Sequence, residues 1–300
     1  VAVVAPIQIH VTANADVKKK AHKMGLVIDF HIHIGSYHDY YPWVIEWMKN
    51  EIEDPETFVK EMLVPEAFTR HLHENGVDYG VALAELSPIT TGMLSNEAVA
   101  EFCQGIECLI PFCNINPFLT ADLPGELERY VTQMGFRGLK LYPTYHHFYA
   151  NSNRLYPLYA KAQELGVPVM IHTGSSVFRG ARLKYGDPLY MDDVAVDFPD
   201  LTLLMVHSGR GFWYDRAYFL AKLHANMYME IAGLPPQKLL EYFPELEKVA
   251  DKVIFGSDWP GMPHIGRNIE IIRGLPLKDE TKDKILGGNA ARILGLDSNQ

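Results

Sequence analysis

Short runs rich in Val, Ile, Leu and Phe recur along the chain, each ending in a polar or glycine-bearing cluster. They are LVIDFHIHIG, VDYGVALAELSP, CLIPFCNINP, GFRGLKLYP, VPVMIHTG, LTLLMVHSG, MYMEIAG and VIFGSDWP. The segments between them have helical spacing and helical ends. DLPGELERYVTQMG opens on Asp, has an early Pro and closes on Gly; SNRLYPLYAKAQELG runs to Gly166 with Pro157 in its first turns. LPPQKLLEYFPELEKVA and LKDETKDKILGG are read as the last two helices of the series. Apolar strands alternating with helices imply a parallel sheet covered by helices. Eight such units predict an α/β protein with a closed (β/α)8 architecture, a TIM barrel; the absence of GxGxxG after the first strand weakens the open, doubly wound alternative. Residues 1–25 are read as an N-terminal extension and residues 26–300 as one barrel domain.

The first strand breaks the apolar rule. Alternation places Asp29, His31 and His33 on one face and Ile28, Phe30, Ile32 and Ile34 on the other. Three buried polar groups are costly unless each finds a partner. Other strands bring further polar groups to the rim where barrels carry their active sites. Lys140 points inward when Leu139 and Leu141 face the helices, the fifth strand ends in His172, the sixth in His207 and the eighth in Asp258. Singly, each has a plain explanation: a hydrogen-bonded core histidine, an ion-paired lysine, an aspartate capping a helix. Together they form a donor set for one divalent cation, with zinc suited best and manganese or iron also compatible. His31, His33, His172 and Asp258 are the expected ligands, with Asp258 doubling as proton shuttle and His207 as the second catalytic residue.

Ser36 to Val64 is long and aromatic, with Tyr37, Tyr40, Tyr41, Trp43 and Trp47. It is expected to roof the barrel mouth or to form a subunit interface. Of the 300 residues, 48% are hydrophobic and 21% charged, which describes a globular chain with a large core. A net charge of −10 excludes a nucleic-acid surface or a polybasic membrane patch, and the short run VKKKAHK is read as a solvated helix face. No apolar stretch is long enough to span a bilayer, and VAVVAPIQIHV lacks the marks of a signal peptide. Cys103, Cys108 and Cys113 are odd in number and lack metal-site spacing, so a reducing, cytoplasmic location is expected.

The segments DFHIHIG, GFRGLKLYP, VMIHTG, MVHSGRG, IFGSDWP and ILGGNAARILGL, spread from Leu26 to Leu296, resemble the amidohydrolase superfamily. The likeness is to the amidohydrolase-related branch that includes aminocarboxymuconate-semialdehyde decarboxylase and aromatic-acid decarboxylases. That resemblance implies metal ligation by His31, His33, His172 and Asp258, with His207 catalytic or binding a second metal. It also implies a choice at Lys140: carbamylated and bridging two ions, or an unmodified neighbour of one. The single-ion form is the expectation, with Lys140 and Glu230 as possible second-metal or supporting groups.

Hydrolysis of a small amide, ester or lactone is the first expectation, weighed toward by Lys140 and the short chain. Non-oxidative decarboxylation of an aromatic or muconate-type acid is the alternative, and a non-catalytic barrel the third reading. Arg210, Arg179 and Arg182 are candidates for meeting an anionic substrate. Tyr142, Tyr145, His146 and His147 are expected to line the mouth, and Glu85 lies near the end of the second strand. A small-molecule substrate and a homodimer complete the expectations.

Overall fold

The computed structural model describes residues 25–296; VKKKAHK and all but Gly25 of the N-terminal extension lie outside them. Eight parallel strands form the central sheet: β1 (Ile28–His33), β2 (Tyr79–Leu83), β3 (Leu109–Asn114), β4 (Leu139–Leu141), β5 (Val169–His172), β6 (Leu203–Val206), β7 (Met227–Glu230) and β8 (Val253–Ile254). Each pairs with its sequence neighbours in register order. The ring closes beyond β8, where the Phe30 N–H donates to Phe255 O at 3.1 Å and the His33 N–H to Trp259 O at 2.8 Å. All of the apolar runs read from the sequence are barrel strands, and the fold is the expected (β/α)8 barrel.

Side chains alternate between two cores. Ile28, Phe30, Val81, Leu83, Ile110, Phe112, Met170, Leu204, Val206 and Ile254 fill the barrel interior, joined by Ala290, Ala291 and Leu294 of the C-terminal helix. The alternate residues, such as Leu139, Leu141, Ile171, Met205 and Met229, pack outward against the helices. Lys140 therefore points into the barrel, as its position between two leucines implies.

The strict alternation read for β1 does not hold. Ile28 and Phe30 belong to the interior core, whereas Ile32 and Ile34 belong to the outer one. A register shift lies between them: Asp29 pairs with Gly80, but Ile32 pairs with Ala82, so β1 spends one residue more than β2. Asp29 is thus not on the His31/His33 face. Its carboxylate holds the bulge, accepting from the N–H groups of His31 (3.1 Å) and Ser257 (2.8 Å).

The helix Leu123–Met134 follows its sequence signals: Asp122 caps it by accepting from the Gly125 N–H at 3.0 Å, and Gly135 ends it at φ 76°. Tyr156–Glu164 likewise starts with Pro157 in its first turn. LPPQKLLEYFPELEKVA is not one helix. It breaks into Pro236–Lys238, Leu239–Tyr242 and Leu246–Lys252; Pro244 lacks an N–H and keeps Phe243 out of the helical region, at φ −131° and ψ 76°. LKDETKDKILGG is helical over Asp279–Asp283 and then widens into a π-turn at Lys284–Gly288. The Ser36–Val64 insertion folds into two helices, α1 (Pro42–Met48) and α2 (Pro55–Met62), each opened by a proline. Among the described residues, no helix is long and apolar enough to cross a membrane.

Candidate active site

The C-terminal ends of β1, β5, β6 and β8 bring four histidines and one aspartate together. The Nε2 atoms of His31 and His33 lie 3.1 Å apart. Asp258 Oδ1 is 3.3 Å from His31 Nε2 and 3.6 Å from His33 Nε2. Donor atoms of His31, His207 and Asp258 all fall within 4.8 Å of one another. His172 stands beside them, its ring centroid 4.7 Å from that of His207, and its Nε2 is buried without a hydrogen-bond partner. His207, expected as a catalytic residue, belongs to this group of three, whereas His33 adjoins it through His31 and Asp258, and His172 only through the His207 ring. The His207 Nδ1–H donates to Ala232 O at 2.7 Å, which leaves the lone pair on Nε2. Backbone strain concentrates here: His207 (φ 62°), Ser208 (φ 46°) and Asp258 (φ 72°) are left-handed without being glycine.

Burial sets the protonation of the cluster. It holds His31, His172 and His207 well below the ordinary imidazole range, helped by the Lys140 charge at His31 and His172 and by Arg210 at His207. Burial also pushes Asp258 upward, but His31, His33 and Arg210 outweigh it and keep the carboxyl well below its usual range. His31, His172 and His207 are thereby held neutral beside an ionised Asp258, the state in which these groups can donate lone pairs to a cation. Beneath them, Glu230 accepts from the N–H groups of His207 and Ala232, each at 3.1 Å, and lies 3.4 Å from His31 Nδ1. Burial raises its carboxyl to about 8 against the opposing pull of Lys140. Lys140 is fully buried, its ammonium unpartnered and 5.1 Å from the Tyr142 ring; burial lowers it to about 8.

A cavity of about 290 Å³ opens above the cluster. Tyr142, Tyr145, Glu85 and Arg210 line it, as do Val44, Trp47 and Met48 of α1. The aromatic insertion therefore does roof the mouth. Tyr145 stacks on Tyr142 with centroids 5.6 Å apart and stands 4.9 Å from His172. Arg210 is anchored: Nε and Nη2 donate to Ser175 O at 3.3 and 2.9 Å, and Nη1 is 3.8 Å from Asp258 Oδ2. Arg179 and Arg182 are exposed and do not line the cavity; Arg179 lies over the Trp43 ring at 5.5 Å. His146 and His147 also depart from expectation. His146 is buried against the Ser87 hydroxyl at 3.1 Å, and His147 reaches outward to Gly180 O at 2.8 Å.

Three contributors were not singled out in the sequence. Thr91 donates its hydroxyl to Glu85 Oε1, and Glu85 Oε2 lies 3.5 Å from His33 Nδ1. Phe178 packs edge-on against Trp47 at 5.1 Å over the mouth. Gly233, at φ 67°, admits Arg210 and Asp258: a Cβ there would stand 2.6 Å from Arg210 Nη1 and 2.8 Å from Asp258 Oδ2. A glycine directly after β7 was the one available signal for it.

Comparison with known proteins gives this arrangement its family. The chain is 25% identical over 211 residues to 2-keto-4-carboxy-3-hexenedioate hydratase of Sphingobium sp., covering 56% of this chain and 59% of that protein. It is 23% identical over 209 residues to 2-amino-3-carboxymuconate-6-semialdehyde decarboxylase of Dictyostelium discoideum, covering 58% of each. The chain thus spans less than two-thirds of these curated relatives. Among solved structures, an uncharacterised TIM-barrel protein of Bordetella bronchiseptica is 25% identical with a TM-score of 0.75, over 90% of this chain and 98% of that one. A 5-carboxyvanillate decarboxylase of Novosphingobium aromaticivorans, solved with manganese and a nitrobenzoic acid, shares the fold at 13% identity and TM-score 0.65, over 91% and 96% of the two chains. The amidohydrolase family profile matches residues 28–296, nearly the whole barrel, and the chain belongs to the amidohydrolase family.

Proposed function

We propose that this protein is a divalent-metal-dependent enzyme that removes carbon dioxide from a small carboxylic acid. The observation that carries the reading is the convergence of the His31 and His33 imidazoles on the Asp258 carboxylate beneath a largely apolar, roofed cavity. The donor set fits a cation: two Nε2 atoms face each other across 3.1 Å beside a carboxylate oxygen, and His172 Nε2 is buried with nothing to bond. His31, His33, His172 and Asp258 would hold the ion, and zinc, manganese and iron all suit such ligands. One ion per chain is favoured, with Lys140 unmodified. A bound divalent ion supplies Lewis acidity toward a carboxylate or carbonyl oxygen.

The chain's own groups do the rest. Trp47, Phe178 and the α1 side chains cover the body of the substrate and exclude water. Arg210, fixed on Ser175 O, presents its remaining N–H bonds to the carboxylate. The bond to the carboxylate carbon breaks, its electron pair stays on the substrate, and carbon dioxide leaves. The carbon left behind takes a proton from water relayed by Asp258, and His207 Nε2, which keeps its lone pair, accepts a hydrogen bond that positions that water. The named decarboxylases among the relatives support this order of preference.

Hydrolysis is the second reading, favoured by Lys140, whose buried and unpartnered ammonium lies among Glu230, Asp258 and Glu85. In that case Asp258 takes a proton from water attacking an amide, ester or lactone. The three free cysteines suit a reducing compartment such as the cytoplasm. A panel of aromatic and muconate-type acids, esters and lactones, assayed with metal-loaded protein for carbon dioxide and for released acid, separates the readings. Carbon dioxide from an acid supports decarboxylation; acid release from lactones or esters without it establishes hydrolysis instead.

A further inference from the structure

The cavity has an uneven distribution of charge. Arg210 is the one lysine or arginine lining it among the described residues, and its guanidinium already meets Ser175 O and Asp258. Lys140 lies below, fully buried, outside the lining. Glu85, by contrast, faces the cavity from the side of His33, and no lysine or arginine among the described residues lies within ion-pair distance of it. One of its oxygens takes the Thr91 hydroxyl and the other is 3.5 Å from His33 Nδ1. Much of the remaining lining is apolar: Val44, Trp47, Met48, Val177, Phe178 and Met262.

A carboxylate entering that apolar half would shed its water and approach Glu85, with Lys140 buried beneath the lining and Arg210 already engaged by Ser175 O and Asp258. A neutral, ring-bearing body would instead lie against Trp47 and Phe178. We infer that Glu85 is a specificity-determining residue: the site takes an acid with one carboxylate on an apolar body and rejects a second carboxylate. A hydroxyl on that body would find an acceptor in Glu85. This rests on the reading that the site takes a small carboxylic acid, and not on which reaction follows.

The test is a binding measurement on the metal-loaded full chain, by calorimetry, with 2-hydroxybenzoate and its 5-carboxylated derivative. In the unaltered protein the dicarboxylate binds at least tenfold more weakly, about 1.4 kcal/mol. In Glu85→Gln, with metal content checked alongside, the ratio narrows to within about threefold. Equal or tighter binding of the dicarboxylate, failure of both acids to bind, or an unchanged ratio in a metal-replete Glu85→Gln protein overturns the inference. Should that variant lose its metal, the 5-carboxamide derivative decides with the unaltered protein, since it matches the dicarboxylate in size without the second charge: it binds within about threefold of 2-hydroxybenzoate if charge sets the discrimination, and binding as weak as the dicarboxylate's overturns the inference. Carbon dioxide release is scored separately, so an acid that binds without reacting sinks the decarboxylase reading and leaves this one standing.

Discussion

The two ends of the barrel interior are built from the same strands and obey opposite rules. The floor is hydrocarbon: Ile28, Phe30, Val81, Ile110, Phe112, Leu204 and Ile254 are nearly or completely buried, and Phe30 meets Phe112 edge-on at 5.5 Å. The rim, equally withdrawn from water, holds Lys140, Glu230, His31, His172 and His207. Left-handed backbone at His207, Ser208 and Asp258 lies at the rim, and no floor residue shares it. Burying ionisable groups in strained geometry opposes folding; burying Phe and Ile drives it. The floor therefore supports a rim whose arrangement serves chemistry rather than stability.

Substitutions that strike one end should leave the other intact. The largest effect is expected from Asp258→Asn. Turnover should fall by about 10²–10⁴-fold with the loss of the proton relay, while urea unfolding should still show one cooperative transition of a folded barrel. Phe112→Ala should do the reverse, costing about 3–5 kcal/mol of stability on the floor in the same urea experiment. His146, on the rim side but outside the cavity, sharpens the contrast through pH. Burial, with His147 adding to it, lowers its imidazole to about 3. The unfolded chain then binds a proton near the ordinary value of 6.5 that the folded chain refuses, so stability falls as pH drops through that window. His146 contributes about 1.4 kcal/mol per pH unit to that slope, and His146→Gln should remove this share, leaving the part owed to His31, His172 and His207 and the neutral-pH slope unchanged. The smallest effect is Ile28→Val, about 0.5–1.5 kcal/mol in unfolding and nothing measurable in turnover.

The sequence shows the floor almost completely, because strand periodicity is a local property. It shows the rim less evenly. His31, His33, His172, His207 and Asp258 each end an apolar strand, so their convergence follows from the barrel itself. The bulge in β1 does not, since Ile28 to His33 alternates without a flaw in sequence. It arises because Asp29 reaches Ser257, a residue 228 positions away, and the closing ring needs the extra residue. Similarly, nothing local tells His146 from Tyr145: one packs on Ser87 and the other faces the cavity, according to how the short helix Pro143–His146 turns. Glu85 and Thr91 meet through a small hairpin, Glu85–Ser87 with Gly92–Leu94, whose pairing is tertiary information. The break in the helix after β7 is signalled by Pro244, although the apolar spacing on either side of it is helical.

The most direct test is metal stoichiometry by elemental analysis after dialysis, on the unaltered protein and on His172→Ala, with carbon dioxide release followed in parallel. The donor set predicts about one divalent ion per chain, lost or weakened at least tenfold in His172→Ala together with turnover, with the circular dichroism unchanged. An unaltered protein that retains no ion yet still turns over substrate, or a His172→Ala protein that holds its ion as tightly as before, would contradict a cation bound by side chains from separate strands of one barrel.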